Sequence, residues 1–138
     1  MCKLESGGGV NSTQTFSPAA ARLSLGWIMT EEGAVVQACL EYLKLYGAFV
    51  WRNNSGALKD KTDRPVFFGK PGSSDIIGIL PGGRFIAVEC KSKSGKVSEK
   101  QKAFLAEIER LGGIAIIARS VDDVIAGVIN RHQLRGKA

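Results

Sequence analysis

Glu89 and Lys91 stand two residues apart at the end of the apolar run Phe85–Cys90 (FIAVEC). Side chains alternate along a strand, so both project from one face. A carboxylate closing an apolar run is costly unless something compensates it. Upstream, DIIGIL and RFIAVECK read as strands flanking Pro81-Gly82-Gly83. If those three residues form the hairpin loop, Leu80 pairs with Arg84, and counting back sets Asp75 opposite Glu89. Two facing carboxylates repel, and Lys91 relieves that only in part. A divalent cation would resolve the conflict, and hard carboxylate oxygens with water suit Mg²⁺ or Mn²⁺. Such an ion polarises a phosphoryl oxygen and acidifies bound water, while a neighbouring lysine can hold the attacking water or stabilise charge on a phosphorane-like transition state. Phosphodiester hydrolysis uses all three groups.

The elements that must position these residues are legible around them. Thr30 is placed to cap a helix through EEGAVVQACLEYLKLYG, which has apolar residues at 35, 36, 39, 40, 43 and 46 and Gly47 at its end. AFVWRNN reads as a strand, and residues 55–70 as a polar, basic loop. Ser98 opens a second helix, SEKQKAFLAEIERLGG; IAIIAR is a fourth strand; Ser120 to Asp123 is a second capping-box pattern opening a short helix to about Asn130. The order is αβββαβα. The first three strands can form an antiparallel meander, and the helix before the fourth suits a right-handed parallel crossover. The expected fold is α/β, a mixed β-sheet flanked by helices. Ile76, Leu80, Ile86, Val88 and Cys90 should face the core, with Ile77, Ile79, Phe85 and Ala87 on the other face.

The chain has 138 residues, 44% hydrophobic and 23% charged, which suits one domain. Residues 1–28, rich in Gly, Ser, Thr and Ala, read as a flexible leader, leaving 29–138 as the folded unit. The formal charge of +6 favours polyanionic partners. No apolar run approaches the roughly 20 residues of a membrane helix, and no basic region with an apolar core opens the chain. Cys2, Cys39 and Cys90 show no CxxC spacing. The expectation is a cytosolic protein with reduced thiols and no membrane partner.

Asp75 followed, after a hairpin, by Glu89-Cys90-Lys91 resembles the D...ExK signature of the PD-(D/E)xK nucleases. The ordered blocks WRNNSG, GSSDIIG, AVECKSKSGKVSEKQKAFL and GGIAIIARSVDDV resemble one branch of them, the virus-type replication-repair nuclease (VRR-NUC) domain, over about residues 30–130. Ser74 stands where the superfamily name has proline. The resemblance implies a restriction-endonuclease-like fold and a metal-dependent endonuclease. Asp75, Glu89 and the Cys90 backbone carbonyl would be metal ligands, Glu32 would hold a second metal or a metal-bound water, Lys91 would position or activate the water, and Gln101 would orient the nucleophile. Small stand-alone members resemble phage-encoded dimers acting on branched DNA such as four-way junctions. That implies DNA as substrate and a homodimer, since one chain has one site.

Plainer readings stand beside these. Asp75, Glu89 and Lys91 could be a turn cap and a strand-end ion pair. Glu32 and Glu31 both suit the helix dipole, although Glu32 shares a face with Val36, Cys39 and Leu43 and can reach the site from the core side. Gln101 fits a capping box with Ser98. Five lysines against one glutamate between Lys91 and Lys102 can be a solvated face or a phosphate-binding one, with Lys93 and Lys96 favoured for the DNA backbone. Arg52, Asn53, Asn54 and Ser55 could touch the scissile strand or form an Asx turn; Ser73 and Ser74, in the GSSD block, and Lys70 are further DNA candidates, as are Lys59, Lys61 and Arg64 in the loop. His132 reads as inert in a polar tail. Two other functions compete: a non-catalytic nucleic-acid-binding module of the same fold, and a flap, nicking or RNA nuclease.

Overall fold

In the computed structural model, residues 29–133 are described, so the leader reading for 1–28 lies outside them. The elements in order are α1 (Glu31–Leu45), β1 (Phe49–Arg52), β2 (Gly56–Lys59), β3 (Pro65–Phe68), β4 (Ile76–Ile79), β5 (Phe85–Cys90), α2 (Glu99–Arg110), β6 (Ile114–Ala118) and α3 (Val121–Val128), followed by a π-helical turn, Ile129–Gln133. β1, β4, β5 and β6 form one sheet in that order. β1 pairs with β4 and β4 with β5 antiparallel, while β5 and β6 are parallel, with α2 as the crossover.

Local chemistry sets the ends of the helices. The Thr30 hydroxyl accepts the Gly33 N–H at 3.0 Å and caps α1, and Ser98 and Gln101 complete a reciprocal capping box at α2. Gly47 and Gly112 have φ of 96° and 91°, a left-handed turn that lets each helix stop. At α3 the expected box does not form. Ser120 makes no side-chain cap, and the Asp123 carboxylate instead accepts the Arg119 N–H at 2.8 Å.

Both faces of the sheet are covered. On one side Ile76, Leu80, Ile86, Val88 and Cys90 join Val36, Cys39, Leu40 and Leu43 of α1 and Val124 and Val128 of α3. On the other, Ala87, Ala115 and Leu105 of α2 form a second core with Ile77 and Phe85 against it. Cys39 and Cys90 are free thiols in the first core; a hydrogen bond from one to the other, together with burial, pushes the Cys90 thiol far up, so it stays protonated. Gly78 is required where β1 and β4 meet, since a Cβ there would lie 2.1 Å from the Phe49 carbonyl oxygen.

Two expectations are corrected. The loop of residues 55–70 contains a second, two-stranded sheet, β2–β3, with Leu58 opposite Val66 and Gly56 opposite Phe68. Its turn is built by the Asp60 carboxylate, which accepts the Thr62 and Arg64 N–H groups at 2.7 and 3.0 Å, with Asp63 at φ 64°. The strands were hidden because each is only four residues long and the charged turn between them dominates the composition. His132 is the second correction. It bridges α1 to the β4–β5 hairpin, one ring nitrogen 2.8 Å from the Tyr46 hydroxyl and the other 2.9 Å from the Pro81 carbonyl oxygen.

Candidate active site

The register of β4 and β5, with Ile76 opposite Val88, brings Asp75 to the rim of the sheet where β5 ends. One oxygen of the Asp75 carboxylate accepts the Cys90 N–H at 2.9 Å, and its carbonyl accepts the Asn53 N–H at 2.7 Å. Asp75 is therefore held by both neighbouring strands. Glu89 is 1% exposed. Its Oε1 accepts from the Lys91 ammonium at 3.0 Å and from the Gln101 amide at 2.5 Å. The Lys91 nitrogen also lies 3.9 Å from Glu32, whose side chain is partly open to solvent.

Gln101 serves two structures at once: its amide oxygen accepts the Ser98 N–H at 2.8 Å and its amide nitrogen reaches Glu89. The capping box thus fixes the rotamer that delivers the amide to the site. Glu31 contributes more than a dipole charge, because its carboxylate accepts the Lys93 N–H at 3.1 Å. Arg119 donates to the Ser92 and Lys93 carbonyl oxygens at 2.5 and 3.2 Å from the opposite side. Together they pin the turn that follows Lys91.

Electrostatics follow from this burial. Desolvation raises the Glu89 carboxyl to about 7, outweighing the hydrogen bond and charge of Lys91, with Asp75 and Glu32 pushing the same way. For Lys91, burial pulls downward, but the hydrogen bond to Glu89 and the charges of Glu89, Glu32 and Asp75 leave the ammonium raised. Glu89 Oε2 is buried with no hydrogen-bond partner, since both donors crowd onto Oε1. A buried unpaired carboxylate oxygen is unfavourable, and with Asp75 beside it the donor set suits a hard divalent cation. Among the described residues no three His, Cys, Asp or Glu side chains converge closely enough to hold a metal by themselves. Asp75, Glu89 and the Cys90 carbonyl would need water or substrate oxygens to complete a shell.

A cleft of about 310 Å³ opens beside Asp75 and Gln101, lined by Arg52, Asn53, Asn54, Ser55, Gly72, Ser73, Ser98 and Lys100. Of the proposed DNA contacts, Arg52, Asn54, Ser55 and Ser73 face this cleft. Asn53 also lines it, but its amide donates to the Ser73 hydroxyl at 2.7 Å and the Ser74 carbonyl at 3.0 Å, so it latches β1 to the Asp75 loop. Ser74 is fully buried with no partner for its hydroxyl and does not line the cleft. Lys70 lines a separate apolar groove with Pro71, Phe104 and Ile108. Lys93 and Lys96 are exposed beyond Lys91. Lys100 was not singled out by sequence, although it belongs to the lysine run. Gly72, at φ 79°, packs onto the Lys100 backbone so closely that a Cβ would lie 2.8 Å from it.

A mixed four-stranded sheet between helices, with acidic residues and a lysine at the rim where two strands end, defines a nuclease-type α/β domain. The VRR-NUC domain family matches residues 32–122, and the chain belongs to that family. A solved structure described as a VRR_NUC domain superposes with a TM-score of 0.54 at 23% identity, covering 75% of this chain and 98% of that one, and it agrees with the restriction-endonuclease-like fold. No curated protein matches. A nuclease-type domain implies DNA binding, and none of the described helices is long and apolar enough to cross a membrane.

Proposed function

We propose that the chain is a Mg²⁺- or Mn²⁺-dependent DNA endonuclease selective for branched DNA such as four-way junctions. The observation that carries the metal dependence is the bare, buried Oε2 of Glu89 beside Asp75. Asp75, Glu89 and the Cys90 carbonyl would hold the ion, which when bound supplies Lewis-acid polarisation of the scissile phosphate. Lys91, charged and nearly buried, holds the attacking water and meets the charge that develops on the phosphate. Gln101 keeps Glu89 oriented and is placed to align the nucleophile. Glu32 anchors the outer side of the Lys91 ammonium, in reach of a second ion or its water shell. Arg52, Asn54, Ser55, Ser73 and Lys100 line the path of the DNA backbone, with Lys93 and Lys96 beyond the Lys91 turn.

Cleavage of labelled linear, flap and four-way DNA with Mg²⁺, Mn²⁺ or EDTA tests this reading. Cutting should require the metal and be fastest on the four-way substrate. Binding to all three with no cutting in either metal would instead mark a DNA-binding module. Symmetric cutting of two strands needs two sites, so a C2 homodimer is expected; light scattering that returns a monomer at micromolar concentration would contradict it.

A further inference from the structure

The β2–β3 hairpin has no use in the site described so far. All eight of its strand residues are exposed, and among the described residues neither face is covered by a helix or by the larger sheet. An isolated hairpin is marginally stable in water, yet this one carries Leu58, Val66, Phe67 and Phe68 in the open, Phe67 at 73% exposure. Alternation places Leu58, Val66 and Phe68 on one face and Phe67 on the other. The arm is rooted at the rim of the cleft beside Asp75. Gly69 at its base packs against Asn54 and Ser55, with a would-be Cβ 2.7 Å from the Asn54 carbonyl oxygen.

Charge around the arm points to its partner. Asp60 and Asp63 are taken up by Arg64 and Lys59 at 3.3 and 2.8 Å. Among the described residues, Arg52, Lys61, Lys70 and Lys100 make no ion pair: Lys61 lies in the turn of the arm, Lys70 just past its second strand, and Arg52 and Lys100 line the cleft at its root. Exposed aromatic rings between free cations suit unpaired bases, whose faces stack on the rings while phosphates meet the cations.

We propose that the β2–β3 hairpin is a base-stacking arm, with Phe67 as its principal contact, that favours nucleic acid carrying unpaired bases next to the phosphate in the cleft. This rests on the nuclease reading for the position of that phosphate, and it makes the arm a determinant of substrate shape.

The test is binding by the full chain in EDTA, where no cutting occurs, to a fully paired duplex and to the same duplex with a short gap containing a fluorescent purine. Phe67 is suited to substitution because it is 73% exposed, whereas Phe68 lies over Gly56 and supports the hairpin. Phe67→Ala should weaken binding to the gapped DNA by about tenfold and abolish the stacking-induced quench, leave the duplex within about twofold, and be rescued by Phe67→Trp. Equal loss on both DNAs, or no loss and no quench, would overturn the proposal. So would loss of self-association in light scattering with the gap preference intact, which would assign the surface to a second copy of the chain. A Phe67-dependent gap preference in a protein that cuts nothing in Mn²⁺ would keep the arm and remove the nuclease reading.

Discussion

Lys91→Ala should reduce metal-dependent cleavage by about 10²–10³-fold, the usual effect of removing one preorganised charge aimed at a developing oxyanion. Affinity for DNA measured in EDTA should change little, because the ammonium is turned inward, 3.0 Å from Glu89, and is not a surface phosphate contact. The variant also strips Glu89 of its ionic partner, and breaking a buried pair can destabilise a fold by several kcal/mol if the remaining charge persists. Here it need not persist. Glu89 is already raised to about 7, and removing Lys91 raises it further, so the carboxyl takes up a proton. A melting curve recorded near pH 6 should therefore show an intact fold beside a lost activity. Retained cutting in Lys91→Ala would remove this lysine from the chemistry and leave it as a strand-end ion pair.

Without metal, stability should fall as pH rises from about 5 to about 8, and Glu89→Gln should remove that slope. The folded protein holds a proton on Glu89 up to about 7, whereas the unfolded chain releases it near the ordinary value of 4.5. Between those values the folded state binds more protons, so raising pH favours unfolding; the contribution is complete below the unfolded value and lost above the folded one. The span corresponds to roughly 3 kcal/mol at full effect. Lys91 stays charged throughout this window, since its raised value starts from 10.5. Denaturant titrations in EDTA across the window would measure the slope. Above pH about 8 the amide variant should be more stable than the parent, while Mn²⁺ should stabilise the parent and not the variant, since an ion that binds only the folded state adds to its stability. A flat profile for the parent would show that Glu89 is not desolvated as the geometry indicates.

Legibility differed between the strand-borne and helix-borne parts of the site. The spacing of Asp75, Glu89 and Lys91 was readable because strand alternation and a three-residue turn fix register, and the observed β4–β5 pairing follows that count, with Leu80 N–H bonded to the Arg84 carbonyl at 2.8 Å. The double duty of Gln101 was half readable: Ser-Glu-Lys-Gln announces the capping box, but only the packing of α2 on β5 aims its amide at Glu89. Glu31 looked like a dipole residue because nothing local links it to Lys93, 62 positions away. Arg119, 27 positions from Ser92, was invisible for the same reason.

The burial of Ser74 and the latch made by the Asn53 amide were not legible, because polarity marks a surface residue only on average. The β2–β3 arm was missed because four-residue strands around a charged turn read as loop. By itself, then, the sequence determined the family, the order of the main elements and the alternation that groups an acid with a lysine at a strand end. These are local properties of the chain, set by period, capping and turn chemistry. Tertiary structure alone decided that Glu89 is buried with one oxygen bare, which residues hold the Lys91 turn, and that a hairpin of exposed residues stands at the rim of the cleft. Burial, desolvation and long-range hydrogen bonds arise only when distant segments meet.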